Sequence, residues 1–172
     1  DAGDKVALSL LDEGDAAQFI VSNGVLRVGP AGLDHEFAPV RHIAVRALDT
    51  GGRYRDDKFV VTVADINEAP KVALAIGNQS AAEDSPFVFQ VPLDAFADVD
   101  AGDSLRYDAS SANGDPLPAW LSFDSQTRTF SGLPGNDDVG IRSYSVTAID
   151  SAGSSVANSL DITVVNANDA PI

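Results

Sequence analysis

Cysteine and methionine are absent from the 172-residue sequence, and lysine occurs only three times. Without cysteine there is no disulfide framework and no thiolate zinc site. The 26 acidic residues outnumber the 11 basic ones, which gives a net charge of −15 and argues against nucleic acid as a partner. No apolar run approaches the ~18 residues of a membrane helix, and no signal peptide is visible. Because methionine is missing, we expect a fragment or a processed piece.

Catalytic signatures are missing as well. The sequence contains no G-x-S-x-G, H-E-x-x-H, P-loop or dinucleotide-binding fingerprint. Its two histidines, His35 and His42, do not offer a general base beside a serine in a plausible triad. We expect both histidines to be exposed side chains rather than metal ligands. The sequence therefore predicts that the chain is not an enzyme.

A long internal repeat organises the chain. The stretch VRALDTGG at Val45–Gly52 returns as VTAIDSAG at Val146–Gly153, and FVVTVADINEAP returns as LDITVVNANDAP, both at a spacing of 101 residues. The opening DAGD returns at Asp100–Asp103 at a spacing of 99. Such a period indicates two copies of one domain of about 100 residues. We assign the copies to 1–70 and 71–172, and the first lacks the opening segment of the second.

Both copies read as short strands with alternating apolar residues. In the first copy Ile43, Val45 and Ala47 fall on one face of a predicted strand. The dipeptide Asn23–Gly24 predicts a two-residue hairpin because both positions accept a positive φ. No segment has a convincing helical period. The pattern predicts an all-β protein with a β-sandwich in each copy.

The acidic residues collect at the ends of predicted strands. If the sandwiches stand end to end, joined by a short connector that Pro70 stiffens, these side chains converge. The converging groups are Asp34, Glu36, Asp65, Glu68, Asp98, Asp100 and Asp150, with Asn67 beside them. Two carboxylates ~4 Å apart repel by about 4 kcal/mol near a protein surface, and divalent cations relieve this repulsion. Oxygen ligands without thiols favour Ca²⁺ over Zn²⁺ or Mg²⁺; a solvated acidic surface is the alternative interpretation.

One acidic stretch imitates an EF-hand loop. DVDAGD at Asp98–Asp103 begins with the right spacing, but the fifth position is Gly102 and the twelfth, where a glutamate ligand is needed, is Ala109. The stretch is therefore not predicted to bind calcium as an EF-hand. It contributes only Asp98 and Asp100 to the candidate ligands.

Three motifs of the first copy occur in the order of the calcium motifs of a cadherin repeat: LDHE, V-x-A-L-D and DINEAP. The first copy resembles a cadherin repeat that lacks its first strands. The second copy, with LPAWLSFDSQTRTFSGLP followed by VTAID and NANDAP, is similar to the dystroglycan-type cadherin-like domain of large bacterial surface proteins. The resemblance implies two tandem Greek-key, immunoglobulin-like sandwiches with Ca²⁺ clamped between successive domains.

The resemblance also carries ligand roles over by position. It implies ligands at Asp34 and Glu36, at Asp65, Asn67 and Glu68 of the linker, at Asp98 and Asp100, and at Asp150. A second group is implied at the opposite end of the second copy, as half of a site for a further domain: Glu83, Asp137, Asn168 and Asp169. The linker reads NEAP where the family has NDNxP, so we expect fewer than three ions, bound at about 10⁻⁴ to 10⁻³ M.

Three functions follow from these patterns. The first is a calcium-binding adhesion or interaction module, whose partners are neighbouring cadherin-like domains, a second copy in a Ca²⁺-dependent dimer, or a surface protein. The second is a carbohydrate-binding module of a secreted polysaccharide-degrading system, with polysaccharide as its partner and Tyr54 and Tyr107 as contacts. Trp120, which the spacing of 101 aligns with Phe19, is expected in the core. The third is a passive spacer. The acidic, lysine-poor composition predicts an extracellular or surface-attached protein, and the resemblance of the second copy implies a bacterial one.

Overall fold

The computed structural model describes residues 5–168 and divides into two compact units, Asp1–Ile66 and Asn67–Ile172. The repeat spacing alone puts the boundary after Pro70. The structure groups the connector with the second unit because Asn67 and Glu68 donate hydrogen bonds to Asp150 and Asp100. Within residues 5–168 there is no helix with the length and apolarity needed to cross a membrane.

Within residues 5–66, the first unit contains five strands. They are β1 (Val6–Leu10), β2 (Phe19–Ser22), β3 (Val25–Val28), β4 (Val40–Asp49) and β5 (Tyr54–Thr62). One sheet has the antiparallel order β1-β4-β5, and β2 and β3 form a separate hairpin. The predicted turn of that hairpin is confirmed, because Asn23 and Gly24 have φ of 53° and 73°, as a two-residue loop of this type requires.

The described part of the second unit, residues 67–168, contains nine strands. They are β6 (Lys71–Val72), β7 (Gln79–Ala82), β8 (Phe87–Gln90), β9 (Phe96–Ala97), β10 (Arg106–Ser111), β11 (Leu121–Asp124), β12 (Thr129–Gly132), β13 (Gly140–Ile149) and β14 (Ser155–Val165). The larger sheet has the order β10-β13-β14-β7, in which β7 runs parallel to β14. The second sheet is β11-β12-β8, and β6 pairs with β9. The all-β sandwich prediction is confirmed.

The register of the strands reproduces the internal repeat. Leu8 lies opposite Ala47 in the first unit, and Tyr107 lies opposite Ala148 in the second. Ala47 and Ala148 are 101 residues apart, whereas Leu8 and Tyr107 are 99 apart. Both spacings found in the sequence are therefore needed to superimpose β1-β4-β5 on β10-β13-β14.

The alignment of Trp120 with Phe19 is wrong. The hairpin that follows Trp120 is closed by a bond from Leu133 N to Trp120 O, and the equivalent bond in the first unit runs from Gly29 N to Gln18 O. Trp120 therefore corresponds to Gln18, because the second copy has three more residues between Tyr107 and its hairpin than the first has between Leu8 and its own. The side chain of Trp120 is half-buried and packs edge-on against Phe87.

The cores of the two units differ in completeness. In the second unit a single apolar cluster contains side chains from both sheets. Within it, Val91, Phe130, Val146 and Ala148 are all 0% exposed. In the first unit the buried apolar side chains among the described residues are Ala16, Phe19, Ile43 and Ala44. The second unit thus offers a rigid frame for the loops at its ends, in which most of the candidate site residues lie.

Candidate metal centre

Three aspartates form a compact cluster in the loop that follows β9. One carboxylate oxygen from each of Asp98, Asp100 and Asp103 lies within 4.8 Å of the others. The loop brings them together by its own hydrogen bonds: Asp100 N donates to Asp98 Oδ1 at 3.1 Å, and Asp103 N donates to Asp100 O at 3.2 Å. Gly102, at a φ of 98°, permits the tight turn between the second and third aspartates.

Each of these carboxylates has one oxygen engaged and one without a partner. Asp98 Oδ1 accepts from Asp100 N, Asp100 Oδ2 accepts from Glu68 N at 3.0 Å, and Asp103 Oδ1 accepts from Ser151 Oγ at 2.5 Å. Asp98 Oδ2, Asp100 Oδ1 and Asp103 Oδ2 are buried and have no hydrogen-bond donor. A buried acceptor left unpaired costs about 1–3 kcal/mol, and a bound cation would offset this cost for all three oxygens.

The residues present fit a calcium ion by this test. The bonds from the loop, from Glu68 and from Ser151 fix the orientation of the three side chains, and their unpaired oxygens are hard ligands of the kind that Ca²⁺ takes. Thiols are absent from the sequence, which removes the ligands that favour zinc or iron–sulfur centres. The cluster is therefore suited to a hard divalent cation.

Asp150 is tied to the connector by Asn67. Asn67 Nδ2 donates to Asp150 Oδ2 at 3.0 Å and to Ser154 Oγ at 3.3 Å, while Ser154 N donates to Asp150 Oδ1 at 2.7 Å. Asp150 is 2% exposed. These bonds, that from Asn67 above all, hold the pKa of Asp150 below its ordinary value of 3.8, so its carboxyl is ionised at neutral pH.

The hairpin between β13 and β14 joins Asp150 to the cluster. Ser151 comes directly after Asp150 and donates its hydroxyl to Asp103. The second unit thereby gathers Asn67, Glu68, Asp98, Asp100 and Asp150 of the predicted ligands at one of its ends, through a continuous set of hydrogen bonds.

Two predicted ligands of the first unit, Glu36 and Asp65, lie in an exposed group. Ligand atoms of Glu36, Asp65 and His35 lie within 4.8 Å of one another. Asp34 uses Oδ1 to accept a bond from Phe37 N at 2.8 Å, so its carboxylate shapes the loop in which Glu36 lies. Glu36 and Asp65 remain at the surface, where they are accessible to a cation.

His35 is closer to these acids than the sequence indicates. Its ring is half-buried rather than exposed, and Nδ1 lies 2.8 Å from the carbonyl oxygen of Val63. Because a carbonyl only accepts, Nδ1 carries the proton. That bond, and then the charges of Asp65, Glu36 and Asp34, raise the pKa of His35. The imidazole is positioned by backbone 28 residues away, which no local pattern in LDHE reveals.

The group predicted at the opposite end of the second unit is only partly assembled. Glu83 is 1% exposed, and its Oε2 accepts bonds from Asn166 Nδ2 at 2.9 Å and Ala167 N at 3.0 Å, while Oε1 is buried without a donor. Asp137 is exposed in a 3₁₀ turn. No set of three metal-binding side chains within residues 5–168 includes Glu83 or Asp137. Asn168 ends the described range, and Asp169 lies outside it.

The second unit matches a model of the Putative Ig domain family over residues 69–165, which is more than half of the chain. The chain belongs to the Putative Ig domain family. This result agrees with the predicted immunoglobulin-like sandwich; the dystroglycan-type assignment of the second copy stays a prediction.

Solved cadherin ectodomains share the fold of this Ig-family chain. The EC1-2 fragment of human mucin-like protocadherin is 18% identical, with a TM-score of 0.57, and the alignment covers 96% of this chain and 86% of that one. The EC22-24 fragment of mouse cadherin-23 is 19% identical with a TM-score of 0.63, covering 94% of this chain and 53% of that one. Extracellular cadherin domains 1-4 of protocadherin gamma B7 are 22% identical with a TM-score of 0.62, and the alignment covers 96% of this chain and 42% of that one. At these identities the likeness establishes the cadherin-like fold alone.

Besides His35, sequence reasoning missed Asp103 and Asn166 in this Ig-family chain. Asp103 joins the cluster of Asp98 and Asp100, and the spacing D-x-D-x-x-D was a signal that the failed EF-hand comparison obscured. Asn166 contacts Glu83. The internal repeat could have revealed Asn166, because Asn166 lies 101 residues after the predicted ligand Asp65.

Of the two tyrosines predicted as sugar contacts in this Ig-family chain, Tyr54 is 62% exposed and Tyr107 is half-buried. The guanidinium of Arg46 lies 4.1 Å from the ring centre of Tyr54 and covers one face. Tyr107 packs against Phe96 in the core of the second unit, and Trp120 packs against Phe87. Stacking on a sugar requires an open ring face, which is covered on one side in Tyr54 and packed in Tyr107 and Trp120, and nothing else among the described residues supports the carbohydrate-binding alternative.

Proposed function

We propose that the chain is a calcium-binding, cadherin-like interaction module that is not an enzyme. One observation carries the proposal: Asp98, Asp100 and Asp103 form one cluster, and each has a buried carboxylate oxygen without a hydrogen-bond donor. The other oxygen of each side chain is held by a specific donor. An acidic surface patch that is merely solvated has no need to orient its carboxylates in this way.

Electrostatics supports the same proposal. The chain has a net charge of −15, and 4 of its 11 basic residues lie after residue 66, among 15 acids. The ion pairs among the described residues all lie in the first unit, so the cluster has no cationic side chain to neutralise it. Bound Ca²⁺ supplies the missing positive charge.

The ligands of this proposal are Asp98, Asp100 and Asp103, with Glu68, Asn67 and Asp150 beside them. Asp34, Glu36 and Asp65 are proposed to complete calcium binding at the linker, which makes successive domains rigid. This second part is supported by the order of the motifs LDHE, V-x-A-L-D and DINEAP in the sequence. We expect an affinity of about 10⁻⁴ to 10⁻³ M, as in other extracellular modules.

Such an affinity is useful outside a cell, where calcium is plentiful. We therefore propose an extracellular or surface-attached protein, secreted by a bacterium. Its proposed partners are neighbouring cadherin-like domains and a second copy of the chain. The fold shared with cadherin ectodomains supports an adhesive role.

Isothermal titration with Ca²⁺ and with Mg²⁺ tests the metal site. We expect Ca²⁺ to bind at about 10⁻⁴ to 10⁻³ M, and Asp103→Asn to weaken it about tenfold or more by removing a charged ligand. Asp108→Asn is the matched control, because it makes the same chemical change at an exposed residue of β10 outside the cluster. Unaltered binding in Asp103→Asn, or none in the wild type, would contradict the proposal.

Sedimentation velocity with Ca²⁺ and with chelator tests the adhesive role separately. Compaction or self-association that appears only with Ca²⁺ supports rigid tandem domains and homotypic contact. Identical sedimentation in both conditions, in a protein that binds Ca²⁺ by titration, would remove the adhesive part and leave a calcium-binding spacer.

A further inference from the structure

The first unit presents an open apolar face. Leu8, Leu26 and Phe59 are 39%, 40% and 49% exposed, and with Val21 and Val45 they line a cleft of about 280 Å³. We call these five residues the open face. Contiguous exposed apolar surface of this kind marks an interaction site more often than a chance arrangement.

The second unit shows what covers the same face there. Its strand β7 pairs in parallel with β14, from Gln79 opposite Ile162 to Ala82 opposite Val165. Its strand β8 pairs with β12, from Phe87 opposite Gly132 to Gln90 opposite Thr129. These two strands add one member to each sheet, and they bring Ala81, Phe87 and Val91 into the core.

The repeat makes the comparison residue by residue. Leu160, the counterpart of Phe59, is 2% exposed, and Val146, the counterpart of Val45, is 0% exposed. Both share a core with Ala81, Phe87 and Val91. The burial of Leu160 and Val146 thus depends on apolar side chains delivered by β7 and β8, whereas Phe59 and Val45 have no such neighbours among the described residues.

The edges of the first unit are also open. Among residues 5–168, β5 pairs only with β4, and β3 pairs only with β2. Their counterparts β14 and β12 each have a second partner, β7 and β8 respectively. An unpaired strand edge beside an apolar cleft offers backbone hydrogen bonds and side-chain pockets together, which is the arrangement used in β-strand addition.

We propose that the open face binds an extended polypeptide segment, supplied from outside these 172 residues, that carries two short apolar strands in the pattern of Gln79–Gln90. The first strand adds in parallel to β5 and the second adds antiparallel to β3. Apolar side chains at the positions of Ala81, Phe87 and Val91 cover Phe59, Leu8 and Leu26. The carboxylate cluster takes no part, so the proposal stands apart from calcium binding.

A fusion provides the sharpest test. A second copy of residues 71–99 is fused directly to the amino group of Asp1, where the spacing of 99 joins it in register, and the experiment is run with chelator. We expect hydrogen exchange of residues 54–64 and 25–28 to slow by at least about tenfold, because the edge amides become hydrogen-bonded. Binding of a hydrophobic dye to the first unit is expected to fall.

A matched fusion isolates the apolar pattern. It carries Phe87→Asp and Val91→Asp in the added segment only, with the original residues 71–99 unchanged. We expect it to give no protection. Equal protection by both fusions, or none by either, would overturn the proposal.

A synthetic peptide of residues 76–92 added to the unmodified chain decides the matter if the fusion fails to fold. Protection of residues 54–64 by this peptide, and not by its Phe87→Asp variant, supports the proposal; no protection overturns it. Self-association is a competing occupant. If the wild-type chain sediments as a dimer with chelator and Phe59→Asp makes it monomeric, a second copy covers the face and the proposal is wrong.

Discussion

The two units carry the same strand pattern but bury it differently. Phe59, Val61 and Val63 alternate along the end of β5 and the residue that follows it, as Leu160, Ile162 and Val164 do along β14. Leu160, Ile162 and Val164 are 2%, 1% and 3% exposed, whereas Phe59 is 49% exposed and Val61 and Val63 are half-buried. Alternation therefore indicates which side chains face inward, and whether these side chains are buried depends on the strands that pack over them.

The turns, by contrast, are conserved between the units down to single hydrogen bonds. Asp49 Oδ1 accepts from Arg53 N at 2.8 Å, and Asp150 Oδ1 accepts from Ser154 N at 2.7 Å. In both units the aspartate N–H donates to the carbonyl four residues later. Local geometry thus repeats faithfully where the packing around it does not.

The largest effect should come from the core residue Phe130. Phe130 is 0% exposed, so Phe130→Ala should lower the free energy of unfolding of the second unit by about 3–5 kcal/mol. Phe59→Ala should cost the first unit less than about 1.5 kcal/mol, since the side chain is already half in water. Urea unfolding followed by Trp120 fluorescence reports the second unit, and hydrogen exchange of residues 54–64 reports the first. Equal losses in the free energy of unfolding would show that the two cores do not differ in completeness.

A smaller effect separates the two equivalent aspartates. Asp49→Ala removes the bond that closes the β4–β5 turn, whereas Asp150→Ala removes the equivalent bond and also the acceptor for Asn67. We expect about twice the loss of stability at Asp150, because about twice as many hydrogen bonds are lost. Both variants are unfolded in urea with chelator present. Trp120 fluorescence gives the midpoint for Asp150→Ala, and hydrogen exchange gives it for Asp49→Ala. Equal losses would mean that Asn67 adds nothing.

The smallest effect is the pH dependence that Asn67 gives to Asp150. The pKa of Asp150 is lowered in the folded protein, chiefly by Asn67, so this stabilisation is full above the unfolded carboxyl pKa and is lost as pH falls through the folded one. Asn67→Ala should raise the pKa of Asp150 toward 3.8. Its stability deficit should be present at neutral pH and shrink on acidification. NMR titration of the Asp150 carboxyl carbon with chelator measures the pKa, and an unchanged value would exclude Asn67 as the cause.

Much of the fold could be predicted because its signals are local. The Asn23–Gly24 turn specifies its own backbone angles, and the alternation in β4 and β13 specifies their inward faces. The parallel pairing of β7 with β14 could not be derived in this way. Those strands are some 80 residues apart in sequence and share no turn, so their pairing depends on packing across the whole second unit.

The candidate site also contains residues that a local motif reveals and residues that depend on contacts between distant parts of the sequence. Asp98 and Asp100 were recognisable because they lie in one short motif. The role of Asp103 depends on Ser151, which is 48 residues away, and that of His35 depends on the carbonyl of Val63, 28 residues away. Such contacts are made only when strands pair. For the same reason the sequence could not reveal that Glu83 binds Asn166 while Asp137 lies exposed.

The unfolding of the second unit with and without calcium tests the central claim most directly. Urea unfolding is followed by Trp120 fluorescence in about 10 mM Ca²⁺, in Mg²⁺ at the same concentration, and in chelator. With an affinity of about 10⁻⁴ to 10⁻³ M, each bound ion should add about 1.4–2.7 kcal/mol of stability, and Asp103→Asn should abolish most of this gain while Asp108→Asn retains it. A midpoint that Ca²⁺ leaves unmoved, or moves no more than Mg²⁺ does, would contradict the account.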